Sequence, residues 1–242
     1  DRAAEVLRAW RDWTRTAPDE ATTDTVIWTI PAVPPFPEAL WNTPFVGVGG
    51  LYAGPIEEGA RTFAPLRTLA EPLIDVSGVQ PFLAVQQMFD ALFPDGQYYY
   101  WKSLYMDDLS DETIDLIQAH AAKRPSLKTL IPIRHLGGAV SRVPDDATPI
   151  GYRSAQYLLN IDATWVSPSA SEENIAWTRQ FYDAVRRFGR GAYLNFGGLG
   201  EEDQELIHTA YGKNYDRLVA LKEKYDPTNL FRFNHNIKPF SR

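Results

Sequence analysis

Apolar and polar positions alternate along this chain with two periods, and the periods predict its elements. Positions 3–16 place Ala4, Leu7, Ala9, Trp10 and Trp13 on one face, at helical spacing. Positions 171–188 do the same with Ile175, Trp177, Phe181, Ala184 and Val185. Between and after these lie β-branched and aromatic runs bounded by turn residues, the signature of strands. They are "TVIWTIP" at 25–31, "TPFVGVGGLYAG" at 43–54, "GQYYYWKSLYM" at 96–106, "KTLIPIRHL" at 128–136, "IGYRSAQYLLNIDATW" at 150–165 and a short "GAYLNF" at 191–196.

Three more helices are expected. "PIEEGARTFAPLRTLA" at 55–70 has proline at its first helical position and acids in its first turn. A shorter one covers "PFLAVQQMFDALF", and Ser110 can cap "SDETIDLIQAHAAK". The stretch 201–225 reads as helical with a break near Gly212. The order mixes helices and strands without repeats or a rich linker, which predicts α+β: a mainly antiparallel sheet with helices on one face. A C-terminal helix and an extended tail follow.

Composition narrows the function. The chain has 242 residues, a formal charge of −7 and no cysteine. Nucleic-acid binders carry a basic face, so nucleic acid is not an expected partner. No run approaches the roughly 18 apolar residues of a membrane span, so no membrane partner is expected either. The absence of cysteine and of a signal-like stretch fits a cytoplasmic setting. The start, directly in an amphipathic helix without Met, fits a piece of something longer. The four histidines are scattered, with no metal-ligand spacing, and no metal is expected. No nucleotide-binding or nucleophile motif occurs. "GGLG" at 197–200 precedes a helix and could cradle an anion, although a plain turn is the preferred reading.

The tail changes this reading. "YDPTNLFRFNHNI" resembles the closing motif of the berberine bridge enzyme-like FAD-linked oxidases, of the vanillyl-alcohol oxidase and p-cresol methylhydroxylase superfamily. Asp226, Pro227, Asn229, Phe231, Arg232 and Ile237 match it, and His235 stands where Gln is usual. "YGKNYDRLVALKEKYDP" is similar to the preceding helix of that family, and "GAYLNF" to its Y-x-N strand. "YYYWKS", the Gly137–Gly138–Ala139 run, the stretch from Arg153 to Trp165 and the Trp177 helix recur in the same order. The resemblance covers the chain from about Ala3 to Pro239.

It implies a substrate-binding domain at 1–200 and, at 201–242, a closing segment that returns to an FAD-binding domain of the same protein or of a separate chain. Nothing of that FAD domain stands in these 242 residues. It further implies FAD as cofactor, a small-molecule substrate, hydride transfer to flavin and O2 as reoxidant. Tyr193, the tyrosine of Y-x-N, is implied as the base or its hydrogen-bond partner. Asn195, two residues on along the same strand face, is implied as a flavin contact, and Asn234 and Asn236 sit near the FAD domain.

Asn160 stands where relatives carry a pocket-lining Glu or Gln. An amide cannot serve as a base, which shifts that role toward Tyr193. Arg134, three residues before Gly137, points to an anionic or carbonyl-bearing substrate or to a salt bridge, and the salt bridge is preferred. Tyr98, Tyr100 and Lys102 alternate on one strand face and either line the pocket or belong to the core. His135, on the opposite face from Arg134, is expected to be structural. A free-standing ligand-binding module, or a dimerisation module forming a homodimer, is the alternative to an oxidase portion.

Overall fold

The computed structural model describes residues 2–34, 36–197 and 204–240. The chain runs α1 (Ala3–Thr14), β1 (Ala21–Thr29), β2 (Pro44–Tyr52), α2 (Ile56–Phe63), α3 (Phe82–Gln87), β3 (Tyr98–Met106), α4 (Asp111–Ala121), β4 (Ile131–His135), α5 (Ala139–Arg142), β5 (Tyr157–Trp165), α6 (Ser171–Val185), α7 (Gln204–Tyr211) and α8 (Tyr215–Tyr225). The five strands form one sheet in the order β2-β1-β4-β5-β3, and every neighbouring pair is antiparallel. The architecture is the expected α+β.

Side chains on a strand alternate between faces, and here the two faces have different chemistry. One face holds Ile27, Ile131, Ile133, Leu104, Met106, Leu159, Ile161 and Ala163. All are buried in the main core with Leu7 and Trp10 of α1, Ile114 and Ile117 of α4, and Trp177 and Phe181 of α6. Several buried polar groups on this side are paired with one another. The Trp10 indole donates to Thr23 Oγ1 at 3.1 Å, and Thr14 and Tyr157 share a hydroxyl–hydroxyl bond of 2.7 Å. Ser110 caps α4 as its position suggests, accepting from the Thr113 amide at 3.2 Å.

The other face carries Asp24, Trp28, Arg134, Asn160, Asp162, Trp101 and Ser103, placed together by the strand register. An amphipathic sheet ordinarily turns such a face to water. Here Asn160, Asp162 and Ser103 are buried nonetheless.

The sequence-predicted elements differ from the observed ones in several places: the strand expected at 25–31 runs Ala21–Thr29, and the helix expected at 55–70 is α-helical only over Ile56–Phe63. The strand expected over 150–165 begins only at Tyr157, because Tyr152 and Ala155 close a turn through Ala155 N–H to Tyr152 O at 3.2 Å. The stretch 191–196 is not a strand. Gly191 takes a positive φ of 57°, and Leu194–Phe196 wind into a 3-10 turn closed by Phe196 N–H to Tyr193 O at 3.0 Å. The four-residue helix α5 was not foreseen. The helix break near Gly212 is where the sequence puts it, with φ 51° at Gly212 between α7 and α8.

Gly191 is required by space as well as by backbone. A Cβ there would run into the Tyr152 ring. Replacing it with alanine is expected to cost at least about 1–2 kcal/mol from the left-handed conformation alone, and more from the ring contact. Urea unfolding of Gly191→Ala measures this, and an unchanged midpoint would show that the turn does not need glycine.

No helix among the described residues is long and apolar enough to cross a membrane.

Candidate functional site

Two serine contacts place the Y-x-N segment. Ser103 of β3 accepts from the Tyr193 amide at 2.9 Å and donates to the Tyr193 carbonyl at 3.1 Å, which fixes that residue's backbone to the polar face of the sheet. The 3-10 turn then brings Asn195 back over Tyr193. The Asn195 Nδ2 donates to Tyr193 Oη at 2.8 Å. The two side chains therefore meet through a turn, whereas the sequence placed them on one face of a strand. The Tyr193 hydroxyl keeps its own proton for donation.

Phe196 completes the turn. Its ring packs edge-on to Tyr193 (centroids 5.2 Å apart), against Trp101 (6.1 Å), and under the Arg134 guanidinium at 5.1 Å. Below it runs a polar chain. Arg134 donates to Asn160 Oδ1 at 2.9 Å, and Asn160 Nδ2 donates to Asp162 Oδ1 at 3.3 Å. So Arg134 pairs with an amide, and its charge acts across space on Asp24 and Asp162. Burial pushes the Asp162 carboxyl up to about 7, with Arg134 and the Asn160 bond only partly offsetting it. Asp24 is also raised, first by burial and against the pull of Arg134. Tyr105, lower on the same face, is pushed up to about 12, first by burial and then by Tyr193.

Asp24 and Asp162 were missed by sequence reasoning. The available signal was polar residues at alternate positions, Asn160, Asp162 and Thr164, inside the otherwise apolar strand "YLLNIDATW".

Tyr98 and Tyr100 do not line this site. Strand alternation sends them to the helix side, so the residues of β3 that face the site are Trp101 and Ser103. Tyr98 stacks on Trp165 at 6.0 Å. Tyr100 is 5% exposed, and its hydroxyl accepts from Arg179 Nε at 3.1 Å. Lys102 points the same way, its Nζ 4.8 Å above the Tyr182 ring. Because β3 is an edge strand, Lys102 still borders a cavity of about 560 Å³ that also touches Trp101, Ser103, Tyr193, Phe196 and Thr209. Burial and the neighbouring Arg179 lower the pKa of Lys102. His135 leans on Tyr157 (5.8 Å) on the helix side, and burial lowers its pKa.

The tail is tied down at two points. Asp226 accepts from the amides of Leu230 (2.7 Å) and Phe231 (3.0 Å), and Lys222 bonds both Asp226 and the Phe231 carbonyl. This is the physical content of the D-P-x-N turn, completed by Asn229 at φ 54°. Further on, the His235 Nε2 lies 2.9 Å from the Leu194 carbonyl, and Ile237 packs with Leu194, Ile207 and Ala210. Asn234 is exposed at φ 62°. Asn236 donates its amide to the Asn234 carbonyl at 2.8 Å, and its side-chain oxygen is buried with no partner among the described residues. Gly198–Gly200 of the glycine-rich stretch lie outside the described residues.

A family profile described as "Berberine and berberine like" matches residues 192–238, the segment from the Tyr193 turn to the end of the anchored tail. The chain is a relative of the berberine bridge enzyme-like FAD-linked oxidoreductases. FAD-linked oxidoreductase YgaK of Bacillus subtilis is 29% identical to it over 98% of the chain and 50% of the relative. Aclacinomycin-N/aclacinomycin-A oxidase of Streptomyces galilaeus is 28% identical over 43% of the chain and 22% of the relative.

Two solved structures share the fold. BBE-like #28 from Arabidopsis thaliana superposes with a TM-score of 0.77 at 18% identity, covering 98% of this chain and 54% of the other. 6-Hydroxy-D-nicotine oxidase from Arthrobacter nicotinovorans does so with 0.74 at 23%, covering 98% and 52%. The chain thus spans about half the length, or less, of these curated relatives, and about half of these structures.

Proposed function

We propose that this berberine bridge enzyme-like chain forms the substrate-binding portion of an FAD-dependent oxidoreductase, with residues 201–242 reaching back to a flavin-binding half. The observation that carries the proposal is the Tyr193–Asn195 pair, clamped by Ser103 over the buried Arg134–Asn160–Asp162 chain.

Two polar groups of this chain are available to complement a flavin. Trp101 Nε1 is a buried donor and Asn236 Oδ1 a buried acceptor, and neither has a partner among the described residues. A flavin edge offers both kinds of complement. When bound, FAD would take a hydride from a substrate carbon and pass the electrons on to O2.

This chain's own part is to hold the substrate and take its proton. Tyr193 is partly exposed, and with Asn195 occupying one lone pair its hydroxyl donates to the substrate oxygen and orients it. Asp162, buried on the same polar face of the sheet and bonded to Asn160, is the group assigned in this reading to take the proton lost from that oxygen. A proton acceptor works best with a pKa close to the working pH, and Asp162 stands at about 7. Asn160 steadies the carboxylate, and Arg134 offsets its charge. Trp101 and Phe196 supply apolar walls. The two carboxylates and one arginine on this face suit a neutral, hydroxyl-bearing substrate.

The test is flavin reduction by rapid mixing in the protein carrying its flavin-binding half. Tyr193→Phe is expected to slow reduction by about 10²-fold or more, with flavin content unchanged. Reduction at the parent rate would remove Tyr193 from the site. Failure of the parent protein to hold flavin would sink the oxidoreductase reading itself.

A further inference from the structure

His235 is joined to the site without belonging to the proton-taking groups. Its Nε2 lies 2.9 Å from the carbonyl oxygen of Leu194, the residue between Tyr193 and Asn195. A carbonyl only accepts, so Nε2 carries the proton in this contact. The other ring nitrogen, Nδ1, is buried and has no partner among the described residues. The imidazole is therefore held as the Nε2–H tautomer.

The same Leu194 carbonyl accepts from the Gly197 amide at 2.9 Å, so two donors converge on it. The fit is close: a Cβ on Gly197 would stand 3.1 Å from the ring of His235. One residue further on, the Asn236 carbonyl accepts from Gln204 Nε2 at 3.4 Å, and Ile237 packs into the Leu194–Ile207–Ala210 cluster. Upstream, the tail presents Phe231 and Phe233 to the outside, 77% and 84% exposed.

We propose that His235 is a positioning residue. Its Nε2–H bond locks the Leu194–Phe196 turn, and through it the Tyr193–Asn195 pair, so that the closing segment and the site turn move as one unit. What seats on the exposed tail then bears on where the Tyr193 hydroxyl points. The inference rests on the reading that this turn carries a substrate-contacting tyrosine, but its physical core, the lock, is measurable without any reaction.

Amide hydrogen exchange reads the lock directly, because the turn has its own reporters in the Phe196 and Gly197 amides. In His235→Leu, which removes the donor and keeps an apolar filler, both amides are expected to exchange about tenfold faster. In His235→Gln, whose side-chain N–H can reach the same carbonyl, they are expected to return to within about threefold of the parent. The amides of Leu159 and Ile133 in the sheet are expected to stay at the parent rate in both variants.

Three results would overturn the proposal. They are unchanged turn amides in His235→Leu, glutamine exchanging as fast as leucine, or a speed-up shared equally by the sheet. The two readings fail separately. If the exchange pattern holds while Tyr193→Phe leaves flavin reduction untouched, the lock stands and the catalytic reading of the turn falls.

Discussion

Asp162→Asn is expected to make the protein more resistant to unfolding above pH 7 and to leave it nearly unchanged near pH 4. The aspartate is 3% exposed, and burial raises its folded-state pKa to about 7, whereas the unfolded chain titrates near the ordinary aspartate value of about 3.9. Between those two values the folded protein holds a proton that the unfolded chain has released. Stability from this group is therefore complete below about pH 4 and is lost as pH rises toward 7, where the folded protein must bury a charge.

The span corresponds to roughly 4 kcal/mol at 1.36 kcal/mol per pKa unit. An asparagine never ionises, so the difference between variant and parent should grow across this window and level off above it. His120 and His135, whose pKa values are lowered by burial, act in the opposite sense in the parent and in the variant alike. The comparison must therefore be the pH dependence of the difference, taken from urea unfolding between pH 4 and 8. A constant difference would mean that Asp162 is ionised throughout, and would withdraw it as the proton acceptor. In the flavin-loaded protein the same substitution is expected to slow flavin reduction by about 10²–10⁴-fold. Together the two measurements separate the cost of the buried charge from its use.

Phe181→Ala is expected to lower the unfolding free energy by about 3–5 kcal/mol. The ring is fully buried, stacked parallel to His120 of α4 at 4.9 Å and tilted against Trp177 at 5.6 Å. It sits where α6 meets α4 and the apolar face of the sheet. Truncation leaves a cavity between three elements that cannot all close on it. Phe181→Leu retains most of the volume and should lose much less. Denaturant midpoints with an unchanged slope would establish the effect as one of stability. A loss below about 1 kcal/mol in the alanine variant would show that α6 is not part of the cooperative core. Activity losses in this variant should follow the unfolded fraction, unlike those of Tyr193→Phe.

Much of the fold is legible in local sequence because burial imposes a period. α1 and α6 show an apolar stripe at helical spacing, and β-branched and aromatic runs mark all five strands of the sheet. Legibility fails where a turn overrides the pattern. "GAYLNF" has the composition of a strand, but Gly191 and the Ser103 bonds to Tyr193 turn the chain into a 3-10 coil instead. A side chain 90 residues away decides this, and no window of sequence contains it.

The face assignment of β3 divides the same way. Alternation puts Tyr98, Tyr100 and Lys102 together, but which side faces the helices depends on the register with β5. That register sends Trp101 and Ser103 to the site instead.

By itself the sequence determined the α+β character, the helix break at Gly212 and the resemblance to FAD-linked oxidoreductases. The first two rest on neighbours within a few residues, where period and turn chemistry act, and the last on motifs that resemble a known family. Only the tertiary structure decided that Arg134, Asn160 and Asp162 form one chain, that Asp162 is buried enough to hold a proton near neutrality, and that His235 reaches Leu194. Hydrogen bonds and desolvation depend on what lies a few ångströms away in space, and here those neighbours come from strands and a tail far apart in the chain.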